Sequence, residues 1–182
     1  MNRKIRKSGE FSKDEAKHLL GSLFSLELAN PSTCFWIVAP WVSDIDIIDN
    51  TAGGFPDLDA FGNRWIKLSE VLVSLAERRT TVVVAVSAEG AKSTAYFLRR
   101  LRRLFKEREL DEYLIVHIDE TKRLHEKAIT ADDYLLDGSM NFTFNGVEVR
   151  SESLELHTNP SVVREARMTA YERFGGKLDA GV

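Results

Sequence analysis

Cysteine is all but missing from this chain: Cys34 is the only one in 182 residues. A lone thiol excludes an intrachain disulfide and a thiolate metal cage built by one polypeptide. At the head of an apolar run, Cys34 reads as a small buried residue. Long hydrophobic runs are absent too, so no segment approaches the length that spans a bilayer. The basic start, Met1 to Lys7, is followed by the polar stretch Ser8 to Ala16 and not by the apolar core of a secretory signal, so a cytoplasmic protein with no membrane partner is expected. There is no strong excess of charge of one sign. The formal net charge of −3 argues against coating a polyanion by bulk electrostatics and requires that any such partner be met by a local basic face. Internal repeats, low-complexity tracts and linkers are lacking as well. With 43% hydrophobic and 29% charged residues, residues 1–182 read as one domain with a sizeable core.

What is present alternates between helical and strand patterns. Apolar residues at Ala16, Leu19, Leu20, Leu23, Phe24 and Leu28 form a helical stripe over 13–28, with Ser12 as N-cap and Asn30-Pro31 as the stop. Cys34 to Ala39 and Thr81 to Val86 are apolar, β-branched and aromatic runs, the signature of buried strands. Between them, Asp44 to Asn63 reads as an irregular excursion and Trp65 to Arg78 as a helix. Gly90 to Glu109 is a further helix. Tyr113 to Ile118, His125 to Thr130, Tyr134 to Leu136 and Leu154 to His157 read as strands, the later ones joined as hairpins, and Ser161 to Phe174 as a closing helix. The pattern predicts an α/β fold, a mixed, largely parallel sheet with helices on both faces.

The chemistry concentrates in seventeen residues. His125, Lys127, Ser139 and Asn141 supply an imidazole, a cation, a hydroxyl and a carboxamide, a set able to break a phosphodiester bond without a metal. On a strand, His125 and Lys127 project to one face and Glu126 to the other. Asp132 lies at odd spacing from Lys127 and suits a structural, turn-forming carboxylate. Gly138-Ser139 offers a tight turn with exposed amides, and Asn141 adds two donors at its edge. Taken singly, His125 is more often an ordinary histidine, Lys127 a solvated charge and Gly138-Ser139 a plain turn; together they favour a site.

These residues, in the order His125, Lys127, Asp132, Gly138, Ser139, Asn141, resemble the HxKxxxxD…GSxN signature of the phospholipase D superfamily. Phe142-Thr143 is similar to the bacterial nuclease branch, as is Glu152, eleven residues beyond Asn141, where that branch carries a glutamate contacting the histidine. Ile37 to Ser43 resembles the first strand and turn of such domains. One departure stands out: five residues separate Asp132 from Gly138 where the usual pattern has six, so either Asp132 or Asp133 fills the motif position.

The resemblance implies a phospholipase D-like fold and metal-independent hydrolysis through a phosphohistidine. Two motif copies are needed per active site, one histidine attacking phosphorus and one protonating the leaving oxygen. This chain has one copy, because none of His18, His117 and His157 is followed two residues later by lysine. A homodimer that joins two His125 side chains across one pocket is therefore expected. Lys127, Ser139 and Asn141 would hold nonbridging oxygens and Glu152 the histidine ring, with Asp132 and Gly138 structural.

Substrate choice rests on other residues. Arg99, Arg100, Arg102 and Arg103 form a concentrated basic stretch, read either as a phosphate-tracking face or as a solvated helix end, and Trp41 either stacks a base or packs. Clustered aspartates (Asp44, Asp46, Asp49, Asp57, Asp59) hint at magnesium but lack fixed ligand spacing. The leading expectation is a nuclease acting on DNA or RNA. The aspartate-rich segment also resembles the phospholipase D-like component that accompanies deazapurine DNA-modification systems, which implies a defence setting with further proteins. The alternatives are a phospholipase or phosphatidyl transferase, and a noncatalytic nucleic-acid-binding subunit.

Overall fold

In this computed structural model, residues 2–6, 10–90, 92–149 and 153–178 are described. In chain order the elements are β1 (Asn2–Arg6), α1 (Glu10–Ala29), β2 (Cys34–Val38), β3 (Asp46–Asp49), β4 (Trp65–Lys67), α2 (Leu68–Glu77), β5 (Thr81–Ser87), α3 (Lys92–Glu107), β6 (Leu114–Asp119), β7 (Ala128–Thr130), β8 (Leu135–Gly138), β9 (Ser153–His157) and α4 (Pro160–Phe174). Seven strands form one sheet in the order β1-β9-β8-β7-β2-β5-β6, while β3 and β4 make a separate hairpin. β2, β5 and β6 pair in parallel, and antiparallel pairing carries the sheet from β2 through β7, β8 and β9 to β1. Followed across these pairings, five of the seven strands run in one direction, which is the mixed, largely parallel sheet the alternation of elements predicts.

The sheet's two faces sort the side chains by the strand period of two. Phe35, Ile37, Val82, Val84 and Val86 face a core filled by α1, α2 and α3. Cys34, Trp36, Val38, Val83 and Ala85 face the other way, against Leu124 and the α4 residues Ala170 and Phe174. Because β2 and β5 are covered on both sides, every residue in them is buried, and their sequences read as unbroken apolar runs. Each large side chain so buried contributes roughly 2 kcal/mol. Trp36 Nε1 donates to Gly175 O at 2.8 Å, which ties the end of α4 to the sheet. Burial pushes the Cys34 thiol up to about 12, so it serves as a small apolar residue.

Local boundaries depart from the sequence reading in several places. The basic amino terminus supplies an edge strand, β1, and α1 begins at Glu10, so Ser12 lies inside the helix and is not its N-cap. The stretch from Trp65 starts as β4 and turns helical only at Leu68, because Asp49 pairs with Trp65 and Ile48 with Ile66. The strand expected from His125 begins at Ala128, and the one expected from Tyr134 runs from Leu135 to Gly138.

A buried ionic network pins the aspartate-rich excursion. Arg100 on α3 meets Asp44 at 2.9 Å and Glu70 at 2.6 Å, and Arg64 meets Glu70 at 2.8 Å. Asp44 also accepts from Ser69 N and Oγ, at 2.9 and 3.0 Å. Burial raises the Asp44 carboxyl above its ordinary range. Burial acts on Glu70 in the same sense, but the bonds from Arg64 and the Lys67 amide outweigh it and hold that carboxyl low. The aspartates do not converge. Asp46 pairs with Lys67 and Asp49 caps the Thr51 turn, so each serves its own local contact.

Candidate active site

The parallel strands place one end of the sheet as the ligand end. β2 runs out at Val38 into Ala39 to Ser43, and Val38 pairs with Ala128, so the incoming segment His125 to Lys127 arrives at that same end. β8 leaves there through Gly138 into Ser139 to Thr143, and α3 starts there, with Thr94 Oγ1 accepting from Val42 N at 3.2 Å. A parallel bridge between Val42 and Phe142 and a bond from Ser43 N to Phe142 O, 2.8 Å, lock the β2 exit against the β8 exit. The carboxyl ends of parallel strands are where open α/β sheets bind ligands.

His125 is exposed, and among the described residues its ring makes no hydrogen bond. The turn before it is held by Asp119, whose carboxylate accepts from Thr121 Oγ1 and from the amides of Thr121, Arg123 and Leu124 at 2.6 to 3.1 Å. The Thr121 hydroxyl foremost, then these amides, hold the Asp119 carboxyl below its usual range. Leu124 then buries itself under the sheet and delivers His125 to the rim. Lys127 Nζ donates back to His125 O at 2.5 Å, so cation and imidazole belong to one short loop. Glu126 points away, paired with Arg173 at the end of α4.

The β7–β8 register brings the glycine-serine turn alongside. Ala128 pairs with Asp137, and Gly138 N donates to Lys127 O at 3.2 Å. Gly138 is required by contact: a Cβ there would lie 2.0 Å from the Ser153 carbonyl oxygen. Ser139 N donates to Ser153 O, and Ser139 Oγ accepts from Ser153 N, both at 3.0 Å. Asn141 Oδ1 accepts from Trp41 N at 3.4 Å, which leaves the amide NH2 as the donor. Below it, a single π-helical turn, Asn145–Val149, packs Gly146 so tightly that a Cβ would sit 2.1 Å from the Asn141 carbonyl oxygen.

Asp132 lies at the other end of β7. Its carboxylate accepts from Thr33 N at 2.7 Å and pairs with Arg167 at 2.8 Å, while Asp133 is exposed. Ala131 N donates to Tyr134 O at 3.0 Å, closing a two-residue turn at Asp132 and Asp133.

Two clefts flank the turn. One, of about 380 Å³, is lined by Trp41, Ser43, Ser93, Asn141, Thr143, Phe144 and Asn145. The other, of about 270 Å³, lies between Lys127, Gly138 and Ser153 and carries Glu126, Asp137 and Glu155. Of the residues singled out in the sequence, the fold gathers His125, Lys127, Gly138, Ser139, Asn141 and Trp41 at this end. Glu152 lies outside the described residues. Arg100 is a correction: its guanidinium is taken up by Asp44 and Glu70, so it is a structural cation and not a free contact for substrate. Sequence reasoning passed over Ser93 and Phe144, which join Ser43 and Thr143 in the cleft through the Val42–Phe142 bridge, a contact with no local sequence signal.

No family model and no curated protein matches the sequence. Solved structures do. Nuc from Salmonella typhimurium, a phospholipase D family member, superposes with a TM-score of 0.59 at 16% identity over 95% of this chain and 93% of that one. NucT from Helicobacter pylori gives 0.55 at 14% identity over 94% of each chain. Phosphatidylserine synthase from Haemophilus influenzae gives 0.58 at 16% identity over 94% of this chain and 37% of that one. The chain shares the fold of these three solved structures.

Proposed function

We propose that this protein is a metal-independent phosphodiesterase that cleaves nucleic acid through a phosphohistidine on His125. The observation that carries the reading is the convergence, at the ligand end of this fold, of an exposed His125 with Lys127, Ser139 and Asn141 through the Gly138 N to Lys127 O bond. His125 attacks phosphorus, and a P–N bond forms as the P–O bond to the leaving group breaks. The departing oxygen takes a proton from the imidazolium of His125 in a second copy of the chain. That second imidazole, now neutral, takes a proton from water, whose oxygen attacks phosphorus and releases His125. Lys127 and the Ser139 and Asn141 donors stabilise the charge on the nonbridging oxygens. Glu152 takes its place in the proposal as the acceptor that orients the histidine ring.

Nucleic acid is favoured as substrate by the aromatic rim of the larger cleft and the arginines on α3, and a restriction or defence role with partner proteins is part of the same proposal. The test is cleavage of single-stranded DNA, RNA, plasmid and bis-p-nitrophenyl phosphate in excess EDTA. Turnover that disappears in His125→Ala supports the reading; turnover only of phosphatidyl lipids, offered in a parallel assay, would replace it with a phospholipase or phosphatidyl transferase, and failure on every substrate by a folded protein would leave a noncatalytic binding subunit.

A further inference from the structure

Three exposed aromatic side chains surround the larger cleft and its exit: Trp41 and Phe144 on its walls, 40% and 63% exposed, and Tyr96 at 55%. Ser93 lines the cleft from the first turn of α3, and Tyr96 follows one helical turn later on the same flank. From there a second depression of about 210 Å³ is walled by Tyr96, Arg99, Arg100 and Arg103. Arg100 forms its floor, already neutralised by Asp44 and Glu70. Arg99 makes no ion pair among the described residues, and Arg103 has only an exposed 3.5 Å contact with Glu107, of the kind worth little in water. The path from Ser93 to Arg103 is ten helical residues, about 15 Å, the rise of about four stacked nucleotides.

We infer that this flank of α3 is a binding track for an unpaired nucleic-acid strand that leaves the cleft over Trp41 and Phe144, stacks on Tyr96 and sets its phosphates against Arg99 and Arg103. The inference rests on the nucleic-acid reading above and specifies the form of the substrate. Exposed rings bind bases whose faces are open, and in a duplex those faces are covered by neighbouring pairs. Two guanidiniums, one of them weakly paired with Glu107, on a chain of net charge −3 supply too little counterion release to hold a duplex by its backbone.

The experiment separates this from the chemistry. Fluorescence anisotropy in EDTA, with His125→Ala protein and labelled 12-mers, compares a single strand with the duplex of the same sequence. The single strand binds at least tenfold tighter. Tyr96→Ala lowers its affinity about tenfold and Tyr96→Trp restores it, while Arg99→Ala with Arg103→Ala reduces the salt slope by about 1.4, the value for two phosphate contacts on a single strand. Bis-p-nitrophenyl phosphate turnover by the protein with an unaltered α3 is read separately, as the measure of the chemistry. Equal binding of duplex and single strand, or α3 variants that bind like the parent, overturns the track and leaves the phosphodiesterase reading intact. Track-dependent binding without turnover of any substrate does the reverse.

Discussion

Asp119 spends its carboxylate on the four donors of the turn that leads into His125, and so acts on the reaction only through where that histidine stands. Asp119→Ala is expected to lower kcat on bis-p-nitrophenyl phosphate at least tenfold with KM little changed, and Asp119→Asn to recover part of it; steady-state kinetics give the split. Asn141→Ala removes the amide donor proposed above to hold the reacting phosphate and is expected to cost 10²- to 10³-fold in kcat, about 3 kcal/mol. Glu27, at the far end of the sheet, gives a pH signature. Burial, opposed by bonds from Ser32, raises its carboxyl from 4.5 to about 7. Between those two values the folded protein keeps a proton that the unfolded chain has released, so stability falls as pH rises through this window and levels off above it. In Glu27→Gln that slope is absent, and the variant should gain on the order of 2–3 kcal/mol at pH 8 relative to pH 4.5, read from urea melts at both values.

At the level of elements, α3 joins two roles: its inner face fills the core and its Arg100 ties down the excursion before α2. Arg100→Met takes from the buried Asp44 its ion-pair partner, while Glu70 keeps Arg64, and is expected to destabilise the fold by about 3 kcal/mol, measured by chemical denaturation. Gly138→Ala drives a methyl into the Ser153 carbonyl and should part β8 from β9 at the turn, with loss of turnover out of proportion to the drop in Tm. The same elements show what a sequence discloses. β2 and β5 were legible because burial on both faces confines polar residues to the two ends of β5, Thr81 and Ser87. The HxK and glycine-serine segments were legible because the chemistry fixes residue types at fixed spacing. The β3–β4 hairpin was not, since Asp46 and Asp49 interrupt the apolar period and its pairing partner lies beyond a long loop. Arg100 looked like its arginine neighbours, and only the approach of Asp44 and Glu70, set by tertiary packing, removes it from the free cations.

For the whole molecule, the exposed position of the one His125 makes assembly the deciding property. In the twofold arrangement proposed above, each pocket needs the histidine of both copies. Turnover per unsubstituted subunit should therefore fall as His125→Ala protein is mixed in after partial unfolding and refolding, and light scattering should give twice the chain mass. Activity that simply tracks the amount of unsubstituted chain would show that one copy suffices. Arg173 carries a separate consequence. It pairs with Glu126, the residue between the imidazole and the ammonium, and so links the closing helix to the His125–Lys127 loop. Because that pair is exposed, Arg173→Ala is expected to cost no more than about 1 kcal/mol of stability, so that a drop in turnover in that variant reads as displacement of the loop and not as loss of the fold.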